Sequence, residues 1–259
     1  VTASIPNRIV CHFSCGAASA VAAKLILDEF PHEQVVIANA FVKEEHPDNR
    51  RFLADCEKWF AHPITVLRDE KFGASTYVVW QKKRFMKGMN FAPCSKALKG
   101  DLLDAIRLPG DIDVIGYTLG EELRLKRFFA RGSSFLPFAP LIEMELTKDD
   151  CYRIVQEAGI RLPKMYELGY NNANCIGCVK GGQGYWNKIR RDFPAEFNAI
   201  ADIQESIGPG AYLFRNRATG ERFSLRDNPL NAGRYSDEPP MSCGFTCEVN
   251  DDWDKEEPK

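Results

Sequence analysis

The chain has 259 residues, 44% of them apolar, and a formal charge of −2. That length supports a large core with one main domain and a smaller appendage, and that charge excludes a bulk electrostatic drive toward nucleic acid, leaving the run Lys82-Lys83-Arg84 as a solvated surface. No apolar segment approaches the roughly 20 residues of a membrane span and no signal-type hydrophobic region opens the chain, so a cytoplasmic protein with no membrane contact is expected, in which nine cysteines serve metal, cluster or redox chemistry rather than disulfides.

The first predicted unit is strand, loop, helix over residues 8–30: the apolar Ile9-Val10-Cys11, the small residues Ser14-Cys15-Gly16-Ala17-Ala18-Ser19, then an Ala/Leu-rich helical pattern. Side chains this small let backbone N–H groups close on a phosphate at the positive end of the helix, and they equally allow close packing of helix on sheet. Neither a Walker ending nor a Gly-x-Gly-x-x-Gly fingerprint is present. Val35–Val42 reads as a buried strand, the segment from Glu44 through Phe60 as a polar opening and a helix, and Ile64–Leu67 as a third strand. A connector of about 25 residues follows, of the length that is usually functional, ending at Pro93-Cys94-Ser95-Lys96 before a helix over 97–106.

Asp111–Tyr117 is the fourth strand, running into Thr118-Leu119-Gly120-Glu121-Glu122 at its carboxyl end. Phe138–Glu143 leads to a helix capped by Thr147 that ends at Gly159. Strands alternating with helices predict a doubly wound α/β domain with a mostly parallel sheet and helices on both faces, assigned to 1–168. Residues 169–259 form a cysteine-bearing C-terminal region, with the turn-rich run to Cys178, helices from about Tyr185 and from Pro194 to Ile207, a hairpin through Thr219-Gly220 and an irregular tail. Cys11, Cys56 and Cys151 sit in apolar patterns and read as small core residues, whereas Cys94, Cys175, Cys178, Cys243 and Cys247 lie in loop contexts open to a metal or substrate. Tyr170, Tyr185 and Trp186 are expected in the core, His12 as a satisfied core histidine, and Lys180-Gly181-Gly182 as a turn.

In this order the pieces resemble the sulfonucleotide (PAPS) reductase group of the PP-loop ATP pyrophosphatase superfamily over roughly residues 8–180. Ser14–Val21 is similar to a modified PP-loop, Gly116 with Glu121 to a Gly-x-x-x-x-Glu element, and Pro140-Leu141, Met165–Tyr170 and Cys175-Ile176-Gly177-Cys178 to the family's closing run. The resemblance implies an adenine nucleotide bound by Ser14, Cys15, Gly16, Ala17, Ala18, Ser19, Asn39 and Gly116, with Glu121 in the reacting part of the site. Cys94 stands 81 residues before Cys175, similar to the spacing in reductases that carry a [4Fe-4S] cluster, with Lys99 at a basic position. Cluster ligands Cys94, Cys175 and Cys178 are thus implied, with Cys243 or Cys247 available as a fourth because Ser95 replaces the pair's second cysteine.

Two departures bear on chemistry. Thr118 stands where the reductases have a substrate-binding arginine, and Cys15 and Ala18 replace a glycine and the aspartate of the pyrophosphatase loop, so Glu44, Glu45 or Glu121 is left to assist magnesium. The expectation is ATP-dependent sulfur insertion by way of an iron–sulfur cluster, releasing AMP and pyrophosphate, with tRNA, DNA or a small molecule as acceptor. One alternative is reduction of adenylyl sulfate or its 3′-phosphorylated form with Cys243 as nucleophile and Cys247 resolving. Another is a non-catalytic nucleotide-binding module in which Cys175, Cys178, Cys243 and Cys247 hold structural zinc.

Overall fold

The computed structural model describes residues 8–88, 91–130, 136–239 and 241. In chain order its main elements are β1 Ile9–His12, α1 Ala17–Glu29, β2 Val35–Ala40, α2 Asp48–Phe60, β3 Ile64–Leu67, α3 Thr76–Lys83 and α4 Pro93–Ser95. A π-type turn over Lys96–Gly100 leads into α5 Asp101–Ile106, β4 Ile112–Val114, α6 Glu122–Ala130, β5 Leu136–Phe138, α7 Pro140–Glu143, α8 Lys148–Glu157 and α9 Lys164–Glu167. Helices α10 Gln183–Asp192 and α11 Pro194–Ile207 and the short strands β6 Phe214–Arg215 and β7 Arg222–Phe223 complete it. Among the described residues no helix is long and apolar enough to cross a membrane.

The chain forms two compact units: one holds the residues up to Phe41, His46–Leu67 and Leu102–Ala173, the other Val42–Glu45, Arg68–Asp101 and the chain from Asn174 onward. The boundary drawn from sequence after residue 168 falls near the last of these crossings, and Arg68–Asp101 joins the cysteine-bearing unit.

The first unit is the expected doubly wound α/β fold, a five-stranded sheet in the order β3-β2-β1-β4-β5 in which every pairing is parallel, with helices around it. Parallel strands buried on both faces read as nearly continuous apolar runs, and Ile9, Val10 and Cys11 are each at most 2% exposed. Helix α1 packs its Ala17, Ala20, Val21, Ala23 and Ile26 into the same core as Phe13, Phe52 and Phe60. Tiny residues at the start of α1 bring it close to the sheet. Because β1 is followed by β2 on one side and flanked by β4 on the other, the winding reverses between β1 and β4, and ligands of such sheets bind at that reversal. His12 is a satisfied core histidine as expected, its Nε2 lying 2.6 Å from Asp113 Oδ1. Burial opposes the charge on Asp113, but hydrogen bonds with His12 and Arg107 hold its carboxyl below the usual range.

The second unit corrects one expectation. The connector after β3, read from sequence as a long loop, contains α3, because Tyr77-Val78-Val79-Trp80 lacks a helical polar/apolar period yet buries Val79 and Trp80 completely. Ser75 caps that helix, its Oγ accepting from the Val78 N–H at 3.4 Å. Glu44 reinforces the cap, accepting from Ser75 Oγ at 2.5 Å and from the Thr76 N–H at 2.8 Å. Helices α10 and α11 and the antiparallel β6–β7 hairpin occur where the sequence places them. Strand β5, three residues long and too short for periodicity to mark, is an addition to the predicted elements, and Glu122 opens helix α6.

Candidate functional sites

The first site lies at the winding reversal of the α/β unit. The loop after β1 turns through Cys15, which adopts φ +58°, a left-handed conformation that costs a side-chain-bearing residue about 1 kcal/mol and that glycine adopts freely. Gly16 caps α1 without a side chain, and no acidic residue occupies the helix's first turn, so its positive end is not neutralised by a local carboxylate. Ser19 Oγ closes the loop by donating to Gly16 O at 2.9 Å and accepting from the Ser14 N–H at 3.1 Å. Tyr166 Oη sits over the same turn, 3.4 Å from the Ala17 N–H that donates to it. Gly116, just past β4, backs directly onto the helix start: a Cβ there would lie 2.8 Å from Ser19 N. The structure therefore gathers Ser14, Cys15, Gly16, Ala17, Ala18, Ser19 and Gly116 at one crevice.

Asn39, at the end of β2, belongs to the same crevice. Its Nδ2 donates to Phe13 O at 2.8 Å and to Cys15 Sγ at 3.4 Å, while its Oδ1 accepts from Arg50 at 3.1 Å. A second Arg50 nitrogen lies 3.6 Å from Cys15 Sγ, and the guanidinium stacks over Phe41. Sequence reasoning missed Arg50, although a basic residue in the first turn of the helix that follows a central strand is a usable signal. Glu121 is engaged locally: it accepts from Thr118 N–H and Oγ1 at 2.9 and 3.0 Å and pairs with Arg124, which covers the Tyr117 ring. Lys148 is a further missed cation of this unit; burial pulls its ammonium below the usual lysine range, and it donates to Asn171 O and to Asn172 Oδ1. Glu44 and Glu45, weighed above as magnesium ligands, are engaged in the second unit, Glu44 by the α3 cap and Glu45 by Lys99 at 3.0 Å.

The second site lies wholly in the second unit. Cys94, Cys175 and Cys178 line one pocket together with Thr76, Trp80 and Lys99. The Cys175–Cys178 turn is fixed by Tyr185, whose hydroxyl accepts from the N–H groups of Gly177 and Cys178 at 3.1 and 2.9 Å and donates to Cys175 O at 3.3 Å. Gly177 takes φ +76°, and a Cβ there would strike Ile200 at 2.2 Å, so this turn requires glycine on two counts. Tyr185 and Trp186 are buried as expected, but Tyr185 also shapes the site through its hydroxyl. The start of the turn is held in addition by Glu44 O, which accepts from the Ile176 N–H at 2.8 Å.

The cluster that the resemblance implies and the zinc that the cysteine spacing alone allows place different demands on this pocket. Its wall contributes three thiols, two lysines and no carboxylate, and two of its residues carry buried donors, Thr76 Oγ1 and Trp80 Nε1, without a partner among the described residues. Thiols with spare N–H and O–H donors suit a sulfur-rich group. The void itself measures about 20 Å³, little more than one water, so a cluster requires the lining to part. Among the described residues no three His, Cys, Asp or Glu side chains gather as a single ion requires. Cys243 and Cys247 lie outside the described residues. The segment leading to them is tied down at both ends of the cysteine turn: Glu238 accepts from the Gly182 and Tyr185 N–H groups at 3.0 Å each, and Asn174 Nδ2 donates to Met241 O at 3.0 Å. Burial raises the Glu238 carboxyl above its usual range.

Fold and crevice together define a doubly wound α/β protein with a glycine-containing small-residue loop at its winding reversal, joined to a thiol-bearing second unit. No family model matches the chain, and no curated protein matches it.

Proposed function

We propose that the protein is an adenine-nucleotide-dependent sulfur-chemistry enzyme, and specifically that it inserts sulfur into an acceptor at the expense of ATP, releasing AMP and pyrophosphate. The observation that carries the reading is the convergence of Cys94, Cys175 and Cys178 on one pocket in a chain that also has a small-residue loop at its sheet reversal. In this reading the Gly16–Ser19 turn and Arg50 hold the phosphates, and Gly116 keeps the helix start open to them. The acceptor oxygen attacks the α-phosphorus and expels pyrophosphate; sulfide then displaces AMP, which leaves with that oxygen. An iron–sulfur cluster on the three thiols, when bound, supplies the site for that sulfide.

A second reading is favoured by one observation, the Asn39–Arg50 pair: an amide and a guanidinium where a metal-bound triphosphate needs an oxygen ligand suit a nucleotide bound without magnesium. That reading is reduction of adenylyl sulfate or its 3′-phosphorylated form, with Cys243 as nucleophile. Protein purified without oxygen is assayed for iron and sulfide, for AMP and pyrophosphate from ATP, and for thiol-dependent sulfite from adenylyl sulfate. About four iron and four sulfide per chain with ATP cleavage support sulfur insertion. Sulfite release that Cys243→Ser abolishes replaces it with the reductase, and neither product overturns both.

A further inference from the structure

A cleft of about 490 Å³, the size of a small-molecule site, lies wholly in the second unit between helix α10 and the chain that carries Leu230, Gly233 and Tyr235. Its walls are fixed to one another. Asn187 Nδ2 donates to Pro229 O at 2.8 Å and to Ala232 O at 2.9 Å, and a Cβ on Gly184 would lie 2.6 Å from both Arg234 C and Tyr235 N, so this strap rests directly on the start of the helix. The cleft is positive: Lys188, Arg190 and Arg191 line it and no carboxylate does. Lys188 and Arg191 share one carboxylate, that of Asp192, at 2.7 and 2.8 Å. The Arg190 guanidinium donates to Asn228 O at 3.1 Å and to Leu225 O at 2.6 Å and covers the Phe197 ring. Among the described residues no carboxylate balances it, and burial pulls it below its usual value. Up to Met241 this unit holds more lysine and arginine than aspartate and glutamate, in a chain whose formal charge is −2, so the field around the cleft reinforces its lining.

Charge and flat surface are set out in order along α10. Gly184 lies under the Tyr235 backbone, and Lys188 and Arg191 follow about 6 and 10 Å further along the helix axis. Tyr235 adds an aromatic ring and Leu230, 77% exposed, an apolar edge, while Gly184 and Gly233 have no side chains to hold a flat group away. A lone inorganic anion would fill only a small part of such a cleft and leave the ring and the leucine unused. We infer that the cleft binds a nucleoside 5′-phosphate, its phosphate on Lys188 and Arg191 with Arg190 adding charge, and its base against Tyr235 and Leu230. A nucleotide here is additional to the one in the proposed function, which is held by the α/β unit. A free nucleotide and a unit of a single strand offer the same phosphate and the same base face, so both are sources of this ligand. No bond is made or broken in binding.

The test is calorimetric titration of the full-length chain with thymidine 5′-phosphate at constant ionic strength, a nucleotide without the adenine expected in the crevice. Binding should be saturable, and Arg191→Glu, at an exposed position that tolerates substitution, should weaken it about tenfold or more. Lys83→Glu makes the same change of charge at an exposed position of α3 in the same unit and should leave the affinity within about twofold. Inorganic phosphate and thymidine should each bind at least about tenfold more weakly than the two joined. No binding of thymidine 5′-phosphate, or an equal loss in the two variants, overturns the site; inorganic phosphate binding as tightly as the nucleotide overturns the assignment to a nucleotide. A short oligothymidylate then distinguishes the sources: an affinity at least about tenfold above that of the mononucleotide, lost in Arg191→Glu, assigns a strand, and equal affinity assigns the free nucleotide. These titrations contain no ATP and no sulfide, so their outcome is independent of the proposed function.

Discussion

Gly116→Ala is the sharpest probe of the crevice, because the added methyl has nowhere to go. Its Cβ would lie 2.8 Å from Ser19 N, 2.9 Å from Ser19 Cα and 3.0 Å from Ala18 C, all backbone atoms in the first turn of α1. A backbone cannot rotate away as the end of a side chain can, so helix and strand must separate by about half an ångström to restore ordinary contact. Gly116 is not among the glycines with positive φ, so the substitution carries no left-handed penalty and, sterics aside, would stabilise by roughly 0.4–1 kcal/mol. Overpacking of this kind costs about 1–3 kcal/mol, which in a chain of this size lowers Tm by about 2–10 °C. The same methyl covers the Ser19 N–H, so nucleotide affinity should fall about tenfold or more. The control is Gly120→Ala, at φ +92° with nothing within 4 Å of its Cβ, where the cost is conformational, about 1 kcal/mol, and nucleotide affinity should not change. Thermal melts and calorimetric titration with ATP and with adenylyl sulfate read both effects. A Gly116→Ala protein as stable as the parent would refute the packing argument, and one that is less stable but binds nucleotide unchanged would move the ligand away from α1.

Tyr185→Phe strips the acceptor from two buried backbone N–H groups, those of Gly177 and Cys178, and should destabilise the protein by about 2–4 kcal/mol in a denaturant titration while speeding alkylation of Cys175; an unchanged midpoint would mean that the hydroxyl does not hold the turn. The hydrogen bond from Arg51 to Asp48, supported by the Lys164 N–H and the nearby charge of Arg161, pulls the Asp48 carboxyl down to about 2. A depressed carboxylate stabilises the fold above its unfolded value and loses that contribution as pH falls toward 2. Asp48→Asn should therefore cost on the order of 1–2 kcal/mol at pH 7 after screening, with the gap closing below about pH 3; a gap independent of pH would contradict the ion-pair account. Brief iodoacetamide treatment of metal-free protein at pH 8, read by peptide mass spectrometry, should modify Cys94 and Cys175 and spare Cys11, Cys56 and Cys151. These last three are buried, and burial pushes their thiols up, Cys151 to about 12; labelling of Cys151 at the rate of Cys94 would refute this.

Much of the first unit was legible because parallel strands leave a strong trace. Ile9-Val10-Cys11 is a continuous apolar run and Val35–Ala40 and Ile64–Leu67 are nearly so, interrupted by Asn39 and Thr65, and the Thr147 capping box marks the start of α8 within one residue. Short elements left no such trace, and α3 was invisible because tertiary burial of Val79 and Trp80 overrides the poor helix propensity of the segment. The candidate sites were legible as residue types in order along the chain. Their supporting groups were not, because each acts across a long sequence separation: Tyr166 over Ala17, Glu44 on α3, and Glu238 on the start of α10. Unpartnered donors such as Trp80 Nε1 have no sequence signature at all. They exist only as a relation between a burial and a missing neighbour.

Cys15 and Asn39 form one coupled unit of the crevice. Cys15 keeps the left-handed turn that glycine would supply, and its fully buried thiol is held by Asn39 Nδ2 at 3.4 Å and by Arg50 at 3.6 Å. Those contacts offset the backbone strain. Asn39 can serve because an amide both donates and accepts: Nδ2 reaches Phe13 O and Cys15 Sγ, while Oδ1 receives Arg50. An ionised aspartate in the same place has no donor. It would face the Phe13 carbonyl with like partial charge and leave Cys15 with one partner fewer. Asn39→Asp alone therefore damages the loop, and Cys15→Gly alone leaves Asn39 Nδ2 without its sulfur acceptor. A neutral amide anchored to a guanidinium makes the crevice more positive than a carboxylate there would, and a more positive crevice favours phosphates held by the protein's own donors over phosphates held through a metal.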